Sequence, residues 1–192
     1  MSDSLKKLLT EFKYLEQNSL NVKNNSIFLA YPGESDDGRK YIGEAIKNGA
    51  GAIIYDPSGF KWNSQWDLPN LPIKNLKNNV SNIASEFYNN PSQKINLIGV
   101  TGTNGKTSSV YWITQCLESL KRKATMVSTI GYGFVDHLKP SVNTTPDAIK
   151  IQSIINDFIL SKVQDVCIEV SSHGIDQGRV SGVHFDVRLF TI

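Results

Sequence analysis

Ten consecutive residues, Gly99-Val-Thr-Gly-Thr-Asn-Gly-Lys-Thr-Ser108, carry the clearest chemistry in this chain. A glycine-rich turn and a Lys-Thr pair stand between an apolar run, 95–100, and a segment with Val110, Ile113, Leu117 and Leu120 at helical spacing. The spacing predicts a strand, a tight loop and a helix opening at Lys106. The first N–H groups of a helix have no internal partners and carry the positive end of its dipole, so such a loop can bind phosphate oxygens. Gly102 and Gly105 supply the backbone freedom, with Thr103, Asn104 and Ser108 completing the cradle. Lys106 can reach the β- and γ-phosphates of a nucleotide, and the Thr107 hydroxyl can ligate Mg²⁺. The common pattern G-x-x-x-x-G-K-[ST] fails at Val100, so the flanking elements carry this reading against that of an ordinary glycine turn with a solvated lysine.

Two further segments could converge on that loop. In open α/β sheets ligands gather outside the carboxyl ends of the strands, so loops following residues 100, 130 and 170 are expected in one crevice. The third reads Glu169-Val-Ser-Ser-His-Gly-Ile-Asp-Gln-Gly-Arg179. A carboxylate in an apolar strand needs a partner for its charge, and Glu169 is expected to join Thr107 on Mg²⁺ rather than form a structural ion pair. Ser171, Gln177 and Arg179 can bind a polar anion, Arg179 through its planar fork unless it is merely solvated. His173 has no nucleophile near it in sequence and is expected to order its loop. Asn143-Thr144-Thr145-Pro146-Asp147 reads as a helix start, with Thr145 as cap and two more hydrogen-bonding side chains before it that suit an anionic or polyhydroxyl substrate.

These residues must be positioned by their elements. From residue 93 onward strands and helices alternate: strand 95–100, helix 106–121, strand 124–130, helix 147–162, strand 165–170 and strand 185–191. That order predicts a mostly parallel sheet with helices on its faces. Residues 1–92 form a smaller α/β pattern, with helices at 4–17, 39–48 and 80–88 and strands at 27–31 and 52–55. Trp62 and Trp66 are expected to cap its core, ligand stacking being the alternative. Asn89-Asn90-Pro91-Ser92 reads as the linker. The fold class is therefore α/β, a small N-terminal domain (1–92) followed by a P-loop domain (93–192). The last residues have no turn or polar tail, and three or four strands make a small P-loop sheet, so a truncated domain of a longer protein is expected.

Composition excludes little else. Twenty Lys and Arg against eighteen Asp and Glu leave a net charge of +2, which speaks against a nucleic-acid partner held mainly through phosphates. Two cysteines, Cys116 and Cys167, make no disulfide framework and fit a reducing, cytoplasmic setting. No run reaches the ~18 apolar residues of a membrane span, His137 and His184 are isolated, and no zinc spacing occurs.

Thr101-Gly-Thr-Asn-Gly-Lys-Thr107, Asn143-Thr-Thr145 and Glu169-Val-Ser-Ser-His-Gly with Gln177 and Arg179 together resemble the Mur ligase family, and within it the MurE-type synthetases. The resemblance covers almost the whole chain and makes Val100 a family variant. In the N-terminal domain, Ile27-Phe-Leu-Ala and Asp37-Gly-Arg-Lys-Tyr-Ile resemble the family's UDP-binding module. Asn18-Ser19-Leu20 stands where Asp-Ser-Arg is usual, so Ser19 carries over as a uridine contact and the arginine's role does not. Glu34, Ser35 and Asp36 match the second uridine loop, where backbone contacts are expected.

The resemblance implies ATP and Mg²⁺ as cofactors, with a UDP-N-acetylmuramoyl dipeptide and an amino acid, meso-diaminopimelate rather than the alternative lysine, as partners. The substrate carboxylate would attack the γ-phosphate and an amine would then displace phosphate from the acyl phosphate. Lys106, Thr107 and Glu169 would be catalytic, and Asn143, Thr144, Thr145, Ser171, Gln177 and Arg179 would hold the substrate. The family's carbamylated lysine, its Asp-His-Leu-Asp segment and its C-terminal domain do not occur here, so these 192 residues, expected to be monomeric, are expected to be inactive alone. Another Mur ligase, a folylpolyglutamate synthetase or a non-catalytic nucleotide-binding module are the alternatives.

Overall fold

The structure, a computed structural model, describes residues 3–34 and 36–192. The chain divides into two units, one ending at Phe87 and one running from Tyr88 to Ile192.

In the first unit, α1 (Asp3–Glu11) buries Leu5 and Leu9, an i, i+4 pair on one face. The predicted continuation of this helix to residue 17 does not occur. Instead β1 (Tyr14–Glu16) begins a parallel sheet with β2 (Ser26–Ala30), β3 (Ala50–Tyr55) and β4 (Asn70–Pro72), in that order across the sheet. β1 and β4 have three residues each, too few to show a period of two, which is why the sequence hid them.

A 3₁₀ turn, Gly38–Tyr41, is capped by Asp37 and leads into α2 (Ile42–Lys47), so the predicted helix 39–48 is a composite of two helix types. α3 (Leu76–Phe87) starts four residues before its predicted position. Phe28, Ala30, Ile42, Ala45, Ile53 and Tyr55 form a core, closed by aromatic side chains. Trp62 stacks on Tyr55 at 4.9 Å between centroids, and Trp66 meets Trp62 edge-on at 5.1 Å. The tryptophans cap the core, as expected.

Asn89 and Asn90 both adopt positive φ, 58° and 51°, and Pro91 then opens a 3₁₀ turn. Asparagine tolerates this backbone better than most residues.

The second unit has β5 (Asn96–Gly102), α4 (Lys106–Ser119), β6 (Ala124–Ser128), β7 (Gly131–Phe134), β8 (His137–Lys139), α5 (Ala148–Leu160), β9 (Asp165–Glu169), α6 (Ser172–Asp176) and β10 (Val187–Thr191). Its sheet has six strands, in the order β10-β5-β9-β6-β7-β8, rather than three or four. β10, β5, β9 and β6 run parallel, and β7 and β8 add an antiparallel hairpin. β9 is buried at every position, as a strand covered on both faces must be.

Ile151, Ile154, Ile155 and Phe158 of α5 bury against Leu97, Val166 and Ile168 on one face. Val110, Ile113 and Leu117 of α4 pack with Val100, Met126 and Cys167 on the other. Leu120 lies past the end of α4 and is 71% exposed, outside the stripe assigned to it. Among the described residues no helix is long and apolar enough to cross a membrane. Cys116 and Cys167 are both free.

Candidate active site

The strand order sets the site. β9 lies between β5 and β6, and the three are parallel, so their carboxyl ends bring the loops after Gly102, Ser128 and Glu169 side by side. The glycine loop turns on two positive φ angles, 139° at Gly102 and 74° at Gly105. Gly105 caps α4 in the left-handed region and has open space around its missing Cβ, so only its backbone angle calls for glycine. Gly102 is more constrained, because a Cβ there would lie 1.9 Å from the Thr191 carbonyl oxygen.

Lys106 folds back over the loop, its Nζ donating to the carbonyls of Gly102 at 3.0 Å and Thr103 at 3.3 Å. Thr107, one residue into α4, donates its hydroxyl to Glu169 Oε2 at 2.8 Å. Glu169 is 3% exposed at the end of β9. The same Oε2 accepts the amide N–H and the hydroxyl of Thr129, each at 3.1 Å. All three donors are neutral, and no ion pair reaches Glu169 among the described residues, so the structural ion pair weighed as its alternative is not found.

A buried carboxylate with its charge uncompensated fits a cation, and Thr107 fits as well, since its proton points to Glu169 and its oxygen lone pairs are left over. No cluster of three or more His, Cys, Asp or Glu that could hold a metal occurs among the described residues, so any cation here would draw its remaining ligands from elsewhere.

The segment before α5 meets these groups. Thr145 is fully buried, donates to the Glu169 carbonyl at 3.0 Å and accepts the Ser171 N–H at 2.9 Å. It does not cap α5. That task falls to Asp147, whose Oδ1 accepts from Ile149 N and Lys150 N. With its hydroxyl engaged by the Glu169 carbonyl and by Ser171, and no exposed surface, Thr145 ties two loops together. Thr144 is half-buried, and Asn143 is exposed.

Ser171 caps α6 through the Gly174 N–H, and Arg179 donates from Nε to Gln177 Oε1 at 2.8 Å and from Nη1 to the Thr145 carbonyl. Arg179 is thus anchored rather than merely solvated. His173 is exposed and its ring makes no hydrogen bond among the described residues, so it does not order its loop as expected. Thr129 was missed. Its only signal is position, directly after an apolar strand in the second of the three converging loops.

In the first unit, a cavity of about 510 Å³ is lined by Gln17, Ser19, Tyr31, Asp36, Tyr41 and Glu44, among others. Ser19 donates its hydroxyl to Glu44, and the Tyr31 hydroxyl donates to Gln17 at 2.6 Å. Asp36 accepts from the Tyr41 hydroxyl, Lys40 and the Asp37 N–H. These bonds, Tyr41's first, hold its carboxyl at about 2, well below the usual value. Leu20, at the position where arginine is usual, is 74% exposed. Glu34 pairs with Lys77 at 3.5 Å and does not line the cavity. Ser35 lies outside the described residues.

Two family models match: residues 11–88 fit the Mur ligase family catalytic domain, and residues 100–192 fit the Mur ligase middle domain. The chain belongs to the Mur ligase family. The middle-domain match opens at Val100 and takes in the whole glycine loop, Glu169 and Arg179.

The chain is 39% identical over 188 residues to the UDP-N-acetylmuramoyl-L-alanyl-D-glutamate--2,6-diaminopimelate ligase of Chromobacterium violaceum, covering 97% of itself and 38% of that protein. It is 42% identical over 177 residues to the ligase of the same name from Pseudomonas syringae pv. tomato, covering 92% of itself and 36% of that protein. The chain therefore spans less than two fifths of the length of these Mur ligases. A solved ligase of that name superimposes with a TM-score of 0.77 at 24% identity, over 93% of this chain and 36% of the other. The MurF ligase of Thermotoga maritima in complex with ADP gives 0.62 at 23% identity, over 99% of this chain and 39% of the other. Both likenesses show the Mur ligase fold.

Proposed function

We propose that this chain is the UDP-binding and ATP-binding part of the ligase that joins 2,6-diaminopimelate to UDP-N-acetylmuramoyl-L-alanyl-D-glutamate. The observation that carries the reading is the Thr107–Glu169 hydrogen bond beside Lys106, at the mouth of a glycine loop in a Mur ligase middle domain. The relatives' shared name supplies the substrate and acceptor.

Phosphoryl transfer depends on positioning and charge neutralisation more than on covalent help from the protein. Lys106, drawn off the loop carbonyls, would meet the β- and γ-phosphates together with the first N–H groups of α4. Bound at Thr107 and Glu169, Mg²⁺ would neutralise phosphate charge. Asn143, Thr144, Ser171, Gln177 and Arg179 would orient the dipeptide carboxylate in line with the γ-phosphorus. Attack by that carboxylate breaks the bond to ADP and forms an acyl phosphate; the acceptor amine then forms the amide, loses a proton and expels phosphate. Ser19, Asp36 and the cavity around them would hold the uridine end. Turnover is proposed to need the remainder of the longer ligase.

Calorimetric titration of this chain tests the reading. Mg·ATP and UDP-N-acetylmuramoyl-L-alanyl-D-glutamate are expected to bind, dihydrofolate is not, and Lys106→Ala is expected to weaken Mg·ATP about tenfold or more. Absence of Mg·ATP binding, or binding of dihydrofolate in place of the UDP compound, would sink it.

A further inference from the structure

Thr129 is exposed at the carboxyl end of β6. Its hydroxyl lies 3.1 Å from Glu169 Oε2 and 3.0 Å from Thr144 Oγ1. A threonine hydroxyl has one hydrogen and cannot donate to both. The carboxylate is the stronger acceptor. In both contacts Thr129 is the donor, so its one proton turns to Glu169 or to Thr144, and an occupant that engages Thr144 changes which of the two it reaches. The result is a chain of contacts running from Thr144 through the Thr129 hydroxyl to Glu169, which Thr107 joins from the other side at 2.8 Å. The Thr129 amide N–H, also on Oε2, fixes the carboxylate's orientation independently of any rotor.

A ligand that engages Thr144 polarises the bonds that end on Glu169, the carboxylate that orients the Thr107 hydroxyl.

We infer that Thr129 is a positioning residue that couples the two ligand sites, transmitting occupancy of the 143–145 segment to the cation side of the glycine loop. The inference rests on the proposed function, because it takes those two places as the sites of the UDP-dipeptide and of the nucleotide.

The test uses linkage rather than affinity alone. The Kd of the chain for Mg·ADP is measured by calorimetry with and without saturating UDP-N-acetylmuramoyl-L-alanyl-D-glutamate. ADP lacks the γ-phosphate, so no direct contact between that group and the dipeptide contributes. The wild type is expected to show a shift of about fivefold or more, and the dipeptide's Kd must shift by the same factor when ADP is the one held saturating.

Thr129→Val, which removes the hydroxyl and keeps the amide, is expected to abolish the shift; Thr129→Ser is expected to retain it. Should Thr129→Val lose nucleotide altogether, Thr144→Val cuts the chain at its outer end and is expected to abolish the shift with ADP still bound. A merely structural Thr129 would weaken single-ligand binding and leave the ratio unchanged. A shift that survives in both valine variants, or no shift in a wild type that binds both ligands, overturns the coupling and leaves the proposed function standing. A wild type that binds neither ligand overturns both.

Discussion

Thr107 and Glu169, 62 positions apart in sequence, meet through a 2.8 Å hydrogen bond in which the threonine donates. The bond turns the Thr107 lone pairs outward and leaves a buried negative charge with neutral partners only. Glu169→Gln keeps an acceptor and removes the charge. In calorimetry, Mg²⁺ is expected to strengthen ATP binding to the wild type, and the variant is expected to lose about tenfold or more of that Mg²⁺-dependent gain, the scale of one hydrogen bond to a charged group. An unchanged Mg²⁺ dependence would remove Glu169 from the cation site.

The two loop glycines should separate in denaturant titrations. Gly105 needs only its left-handed backbone, so Gly105→Ala is expected to lose about 1 kcal/mol. Gly102→Ala adds a collision with the Thr191 carbonyl to the same kind of strain and is expected to lose more than about 3 kcal/mol, with β10 displaced. Equal losses would mean that β10 is not held against the loop.

At the opposite end of the sheet, Arg122 binds Asp165 through Nε at 2.6 Å and Nη2 at 2.8 Å, and Asn96 adds an amide donor at 3.1 Å. The aspartate side chain is 4% exposed. Arg122→Met leaves that carboxylate with the Asn96 amide and without its cation. A loss of about 3 kcal/mol in denaturant titration is expected, the low end for a broken buried pair because Arg122 itself is 37% exposed.

The Asp36 carboxyl titrates at about 2 in the folded chain against 3.8 ordinarily. A depressed folded value means that the Tyr41 and Lys40 contacts favour folding fully above about 3.8 and that their contribution disappears as pH falls through about 2. Carbon-detected NMR titration of Asp36 should show the low midpoint, and Tyr41→Phe should raise it, since the Tyr41 hydroxyl is its largest cause. A midpoint unmoved by that change would contradict the assigned cause.

Cys116 is exposed, whereas Cys167 is buried with its thiol pushed up to about 11. One equivalent of a thiolate-selective reagent is expected to react with the folded protein at pH 8 and a second only after unfolding. Rapid reaction of both would place Cys167 outside the core.

Much of the fold was legible because its signals are local. The glycine loop, the apolar run before it and the helical stripe after it lie within some twenty residues, and each element's periodicity can be read without knowing its neighbours. Ile151, Ile154, Ile155 and Phe158 of α5, spaced three and four residues apart, are buried on one face. β1, β4 and the β7–β8 hairpin were not legible, because three or four residues carry no reliable period.

What the sequence determined by itself is the set of chemical parts and their local frames: a phosphate-type loop at a strand-to-helix junction, a carboxylate in an apolar strand, and polar loops after β6 and β9. Tertiary structure decided which part serves which partner. Thr145 reads as a helix cap, yet its hydroxyl is taken by the Glu169 carbonyl and the Ser171 N–H, so Asp147 caps α5 instead. Thr129 carries no motif, yet the placement of β9 between β5 and β6 sets it on Glu169 opposite Thr107. The physical reason is that periodicity and capping act within a few residues, whereas strand order fixes which distant donors share one buried acceptor.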